Sequence, residues 1–227
     1  MDNNSSKFIE LKKLGLQRKR NCYPGYYQIF QFYNSKYESD FVSPYTKSAG
    51  NVNAQIIVLL QDWSSKESLS KPFDPVTAQY GYTPNIPTNI NLKKLLQEVF
   101  TLRLSEVFVT NVFPYIKSGS MSSKIPQADL DRAFHEFCLP QVNIIKPRLV
   151  ICCGKQVYIS ALTHFNKPKS NLLPVGNYFE QDEILFYHQR HTGGIATNTN
   201  GGINTAISNW TIMKNLFIRR IITSSST

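Results

Sequence analysis

Cysteine is scarce in this sequence, and the spacing of what there is argues against two classes of protein. The four residues are Cys22, Cys138, Cys152 and Cys153. No Cys-x-x-Cys pair occurs, which speaks against a zinc ribbon. Cys152 and Cys153 end an apolar run, where cysteine serves as a small buried hydrophobe. A reducing, cytoplasmic setting is expected, with no disulfide framework and no metal. Long apolar stretches are also missing. No window approaches the roughly 20 residues that a membrane-spanning helix needs, and the first residues lack the apolar core of a secretion signal. Acidic residues are in short supply, 15 against 25 lysines and arginines, so the net charge is +10. That surplus favours polyanionic partners, nucleic acid first and anionic membrane surfaces second.

What is present describes an ordinary globule. With 227 residues, 41% of them hydrophobic and 18% charged, the chain has enough material for one sizeable core. The expected division is a basic extension and approach segment over 1–43, an α/β domain over 44–222 and a disordered tail over 223–227. Lys7, Lys12, Lys13, Arg18, Lys19 and Arg20 interleave with Phe8, Ile9, Leu11, Leu14 and Leu16 as in a basic amphipathic helix.

Four apolar runs alternate with helical patterns. Gln55 to Leu60 predicts a buried strand that surfaces at Gln61-Asp62. A long polar segment, 63–88, carries Pro72, Pro75, Pro84 and Pro87, with Phe73, Tyr80 and Tyr82 suited to fold over a pocket. A helix capped by Asn89 or Asn91 is predicted through Phe100. Val107 to Val112 is the second strand, followed by a basic, flexible linker from Pro114 to Ser123. Gln127 to Ile145 has helical spacing, and Pro140 predicts a kink or break. Leu149 to Cys153 is the third strand, turned by Gly154 into a helix over 155–164. Glu183 to His188 is the fourth, followed by a Gly/Asn/Thr-rich loop over 189–202 and a helix over roughly 204–219. Such alternation predicts a three-layer α/β/α sandwich around a four-stranded, mainly parallel sheet.

Open parallel sheets place their ligands at the carboxyl ends of the strands. Asp62, Asn111 and His188 end three of these strands and Gly154 follows the fourth. An acid, an amide and an imidazole on one edge suit a site that reads a polar heterocycle and cleaves a bond to it.

These segments resemble the uracil-DNA glycosylase superfamily. Leu59-Leu60-Gln61-Asp62 resembles its water-activating strand, which ends in Gly-Gln-Asp-Pro-Tyr. Val109-Thr110-Asn111-Val112 with Pro114 is similar to the strand whose asparagine reads the flipped base. Lys146 to Lys155 is similar to its Pro-Lys-x-Ile-(apolar)-Gly segment, and Tyr187-His188-Gln189-Arg190 lies where the superfamily carries His-Pro-Ser. The resemblance spans about residues 44–218, in the right order. It implies a monomeric enzyme without a cofactor, in which Asp62 stabilises the oxocarbenium-like sugar and orients water while His188 donates to the departing base. Gln61, Asn111, Trp63, Ser64, Phe73, Tyr80 and Tyr82 would face the base. Arg190 and His191 would fill the gap in the duplex, and Lys117, Lys124, Gly154 and Lys155 would meet DNA.

The departures point to a different substrate. Trp63-Ser64 stands where uracil-specific enzymes carry Pro-Tyr, whose tyrosine crowds carbon 5 of the base. Gln189-Arg190 replaces Pro-Ser, and the cysteine spacing does not match the iron–sulfur subgroup. The expected substrate is a pyrimidine substituted at carbon 5, of the kind found hypermodified in phage DNA, which suggests antiviral defence. The competing expectations are an ordinary uracil-DNA glycosylase of base-excision repair, a non-catalytic DNA- or protein-binding module on the same fold, and a small-molecule α/β enzyme that would not need the +10 charge.

Overall fold

The computed structural model describes residues 3–169 and 174–224. The N-terminal helix α1 (Asn3–Arg20) buries one stripe, Leu11, Gly15 and Arg18, at the three- and four-residue spacing that aligns side chains on a helix face. The Arg18 guanidinium is fully buried, paired with both carboxylate oxygens of Glu38, and its Nη1 also donates to Gln28 Oε1 at 3.3 Å. Residues 22–53 are irregular, with short 3-10 turns at Ile29–Gln31, Tyr33–Ser35 and Pro44–Lys47. This segment is part of the main core, since Tyr23, Phe41 and Val42 pack in one cluster with Leu11 of α1 and β-strand residues.

Strand β1 (Ile56–Asp62) leads into two short helices, α2 (Lys66–Leu69) and α3 (Pro75–Tyr80), and then α4 (Pro87–Leu95), which passes into a π-helical turn at Leu96–Phe100. The polar segment 63–88 is therefore not one long loop. Asp74 caps α3 by accepting from the Val76 and Thr77 amides, and proline at the first turn costs no hydrogen bond. Strand β2 (Phe108–Phe113) follows. The stretch after it, expected to be a flexible linker, is instead buried at Tyr115, Ile116 and Lys117 and bridged to Tyr27 and Ser65.

Helices α5 (Gln127–Ala133) and α6 (Leu139–Ile145) are joined by a π-helical turn at Phe134–Cys138. The break expected near Pro140 is this wider turn, which absorbs the missing amide without ending the helix. Strand β3 (Leu149–Cys153) gives way at Gly154 to α7 (Lys155–His164). A hairpin of β4 (Tyr178–Gln181) and β5 (Ile184–Gln189) comes next, then α8 (Gly194–Asn198) and α9 (Gly202–Ser224). Of the tail expected to be disordered, residues 223 and 224 belong to α9, and 225–227 lie outside the described residues.

The sheet is α/β in class, open and mostly parallel, but it has five strands among the described residues where four were expected. Their order is β2-β1-β3-β5-β4, with only β4 antiparallel. Strand β4 is four residues long and alternates exposed with half-buried positions, as an edge strand does, so it lacks the apolar run that marks a central parallel strand. Helices cover both faces. One face of the sheet (Ile57, Leu59, Cys152, Phe186) packs on α5, α6 and α7, and the other (Val58, Leu60, Val109, Cys153, Tyr187) packs on α4 and α9.

Candidate active site

Period-two alternation decides which strand-end residues can meet. Registers Leu60↔Asn111 and Cys153↔Gln189 extend across the sheet as one row, facing α4 and α9. Registers Leu59↔Cys152 and Cys152↔His188 make the preceding row, facing α7. Asp62 pairs with Phe113, and Val112 and Phe113 both pack on the α5–α7 side, so the alternation does not carry through the last residues of these strands. His188 points to the opposite face from Asn111.

The surroundings of His188 are those of a packed side chain. Its ring stacks on Tyr158 with centroids 5.1 Å apart at 11°. Nδ1 lies 3.1 Å from the Pro174 carbonyl, which can only accept, so the proton is on Nδ1. Burial lowers its pKa below the usual histidine range, partly offset by that carbonyl, with the positive charges of Arg190 and Lys155 lowering it further. The structure does not bring His188 to Asp62.

His191 is the histidine on which the Asp62 charge acts. It was expected to project as a wedge beside Arg190, but it is half-buried, and its pKa is lowered by burial, raised by the Asp62 carboxylate and lowered by the Lys117 ammonium. The Gly193 amide donates to its Nδ1 at 2.9 Å, so in the neutral ring the proton sits on Nε2. The turn carrying it is tied to α4: Asn91 Nδ2 donates to the Thr192 carbonyl at 2.8 Å and to Thr197 Oγ1 at 3.2 Å.

Asp62 is hydrogen-bonded through one carboxylate oxygen and ion-paired through the other, which has no hydrogen-bond partner. Gln61 Nε2 donates to Oδ1 at 3.1 Å, and the Lys117 ammonium lies 2.9 Å from Oδ2. The Lys117 and Asp62 side chains are only 3% and 8% exposed. Lys117 was expected on the surface as a phosphate contact; its burial takes it out of that role and puts it in the site.

Asn111 is fully buried, and its amide is oriented by Ser43. Ser43 Oγ accepts from the Tyr45 amide at 3.3 Å, so its own proton goes to Asn111 Oδ1 at 2.6 Å. The donors of Asn111 Nδ2 have no partner, and neither does the buried Thr192 hydroxyl. An orphaned buried amide costs roughly 1–3 kcal/mol unless something fills its valence, and orphans of this kind mark places where a ligand atom fits. Ser43 carried no signal in the sequence beyond a Ser-Pro turn, because it meets Asn111 across 68 residues.

The residues flanking the site are arranged as follows. Trp63 donates from Nε1 to the Gly81 carbonyl at 2.8 Å and tilts against Tyr37, so its ring ties the segment before α4 to the end of β1. Ser64 is buried, and Ser65 caps α2 by accepting from the Ser68 amide. Phe73 packs in a cluster with Tyr33 and Tyr37. Tyr82 is buried, stacked on Tyr45 at 5.5 Å, while Tyr80 is exposed. Gly154 uses its amide on the Gln189 carbonyl at 2.8 Å. Lys124, Lys155 and Arg190 are exposed, with the last two close enough to act on His188. A large groove of about 760 Å³ lies at the opposite edge of the sheet, lined in part by Lys146, Arg148 and Asp182, away from these groups.

Among the described residues there is no group of three side chains suited to hold a metal, and no helix long and apolar enough to cross a membrane. No protein-family model matches the chain, and no curated protein matches it.

Proposed function

We propose that this protein is a DNA glycosylase that flips out a modified pyrimidine and hydrolyses its N-glycosidic bond, leaving an abasic site. The observation that carries the reading is the set of three groups at the carboxyl edge of the sheet: a buried carboxylate on Asp62, an imidazole on His191 whose Nδ1 accepts a hydrogen bond, and an Asn111 amide with unclaimed donors.

Each has a place in the chemistry. Departure of the base leaves a cation-like sugar and an anionic heterocycle. Asp62 would stabilise the first and orient the attacking water. His191, with its proton on Nε2, would donate to the oxygen that collects charge on the second, which moves this role from His188 to a residue three positions later. Asn111, its Oδ1 already taken by Ser43, would donate to an acceptor on the base. Lys124, Lys155 and Arg190 are free to contact phosphates, in keeping with the +10 charge.

The substrate we favour carries a substituent at carbon 5, because a small buried serine, Ser64, follows Trp63 where the resembling enzymes place a tyrosine, and the Trp63 indole is turned to Gly81. Hypermodified phage DNA would supply such bases, and removing them would serve defence against phage. The test is mass spectrometry of free bases released from a panel of unmodified, uracil-containing and phage-modified DNAs, with Asp62→Asn as the control. Release of uracil alone would return the protein to ordinary base-excision repair. One observation favours a second reading, a non-catalytic DNA-binding module: the acid of the site is held in an ion pair with Lys117. Tight DNA binding with no abasic sites formed on any DNA would establish that reading instead.

A further inference from the structure

We infer that Lys117 is a positioning residue for Asp62, fixing the direction of the carboxylate and balancing its charge against His191. The inference rests on the glycosylase reading above.

The placement of the ammonium is set by the backbone and not by a flexible side chain alone. On one side, Ile116 exchanges two hydrogen bonds with Tyr27, at 2.8 and 2.9 Å. On the other, the Lys66 amide donates to the Lys117 carbonyl at 2.9 Å, and Ser65 and Lys117 form a parallel bridge. Residues 116–117 are thus fastened to the segment that leaves β1 immediately after Asp62. From this fixed point Nζ donates to the Met121 carbonyl at 2.6 Å and lies 2.9 Å from Asp62 Oδ2. Gln61 hydrogen-bonds Oδ1, and Oδ2, which has no hydrogen-bond partner, is held by the Lys117 charge alone.

A purely structural pair is a poor account of this geometry. Two charges taken out of water stabilise a fold no better than well-packed apolar residues of the same size. Here the charges of the pair also act on half-buried His191: burial disfavours its protonated form most, Asp62 favours that form and Lys117 opposes it. Removing Lys117 would leave Asp62 unopposed, so His191 would take up a proton at higher pH. A histidine that must enter the reaction neutral would then be lost over a wider acidic range.

Single-turnover base release, DNA affinity and melting temperature of Lys117→Met and Lys117→Arg, measured on a DNA that the wild type cleaves, test the inference. Lys117→Met is expected to keep DNA affinity within about twofold and to release base roughly a hundredfold more slowly, the scale of a misplacement by about 1 Å. Its acidic limb should move to higher pH. Lys117→Arg, which keeps the charge but not its position, should be slower than wild type with the wild-type acidic limb. A Lys117→Met protein with the wild-type rate and limb overturns the inference, and so does one that loses only DNA affinity, as a phosphate contact would. Should Lys117→Met fail to fold, Lys117→Arg decides, and a wild-type rate in it overturns the inference. Absence of base release from every DNA by the wild type would instead remove the glycosylase reading, and this role with it.

Discussion

Asn111 and His188 occupy opposite faces of the sheet although each lies near the carboxyl end of a parallel strand. His188 is in register with Cys152 and Leu59, Asn111 is in register with Leu60, and the two rows face different helical layers. The imidazole on which the Asp62 charge acts is on the following turn, at His191.

Two substitutions separate these histidines. His191→Gln is expected to slow base release by roughly 10²–10³, the cost of losing one preorganised donor, with little effect on stability. His188→Ala should leave the rate nearly unchanged and cost about 1–3 kcal/mol from the lost stack on Tyr158 and the lost bond to Pro174. Single-turnover kinetics and chemical denaturation of both variants check the assignment.

Both histidines also predict an acid-sensitive fold. Burial holds each below its usual pKa, so the unfolded chain binds protons that the folded chain does not. Stability should then rise with pH up to about 6.5, the unperturbed histidine value, and be lost as pH falls below it. Melting temperatures between pH 5 and 8 would show this, and His188→Gln/His191→Gln should flatten the acidic side of the curve.

Arg18 is the structural exception in a basic helix. Its guanidinium is fully buried against Glu38, so Arg18→Met strands a carboxylate and should cost roughly 3–5 kcal/mol. Lys13→Met, exposed on the same helix, should cost less than about 0.5 kcal/mol. Equal losses in urea unfolding would refute the distinction.

Gly81 holds the segment before α4 against the rest of the fold. Its φ is +76°, and a Cβ there would meet the Pro44 carbonyl oxygen at 1.8 Å. Gly81→Ala should destabilise by more than about 1 kcal/mol, and it should also disturb Trp63, whose indole donates to the Gly81 carbonyl. Gly154→Ala differs in kind: the nearest atom is His191 Cβ at 4.0 Å, so the cost of about 1–3 kcal/mol would come from φ of +113° alone. Thermal unfolding of the two variants, with tryptophan fluorescence as a second signal for Gly81→Ala, compares them.

The amino-acid sequence by itself determined the four parallel strands and the helices between them. Unbroken apolar runs such as Ile56 to Leu60 and Leu149 to Cys153 have one stable home, the middle of a sheet covered on both faces, and the polar residue ending each run has to emerge at its edge. For the same reason it left the site unresolved. A strand buried on both faces has no polar alternation to show which way each side chain points, so His188 and Asn111 look equivalent until register separates them. Strand β4 was hidden because an exposed edge strand of four residues lacks an apolar run. The partners that define the site are long-range: Lys117 reaches Asp62 because β1 and β2 lie side by side, and Ser43 reaches Asn111 because the segment after it is bridged to β2 at Gly50 and Phe108. Local propensity carries no information about such meetings. They follow from strand order and register, which are properties of the packed chain as a whole.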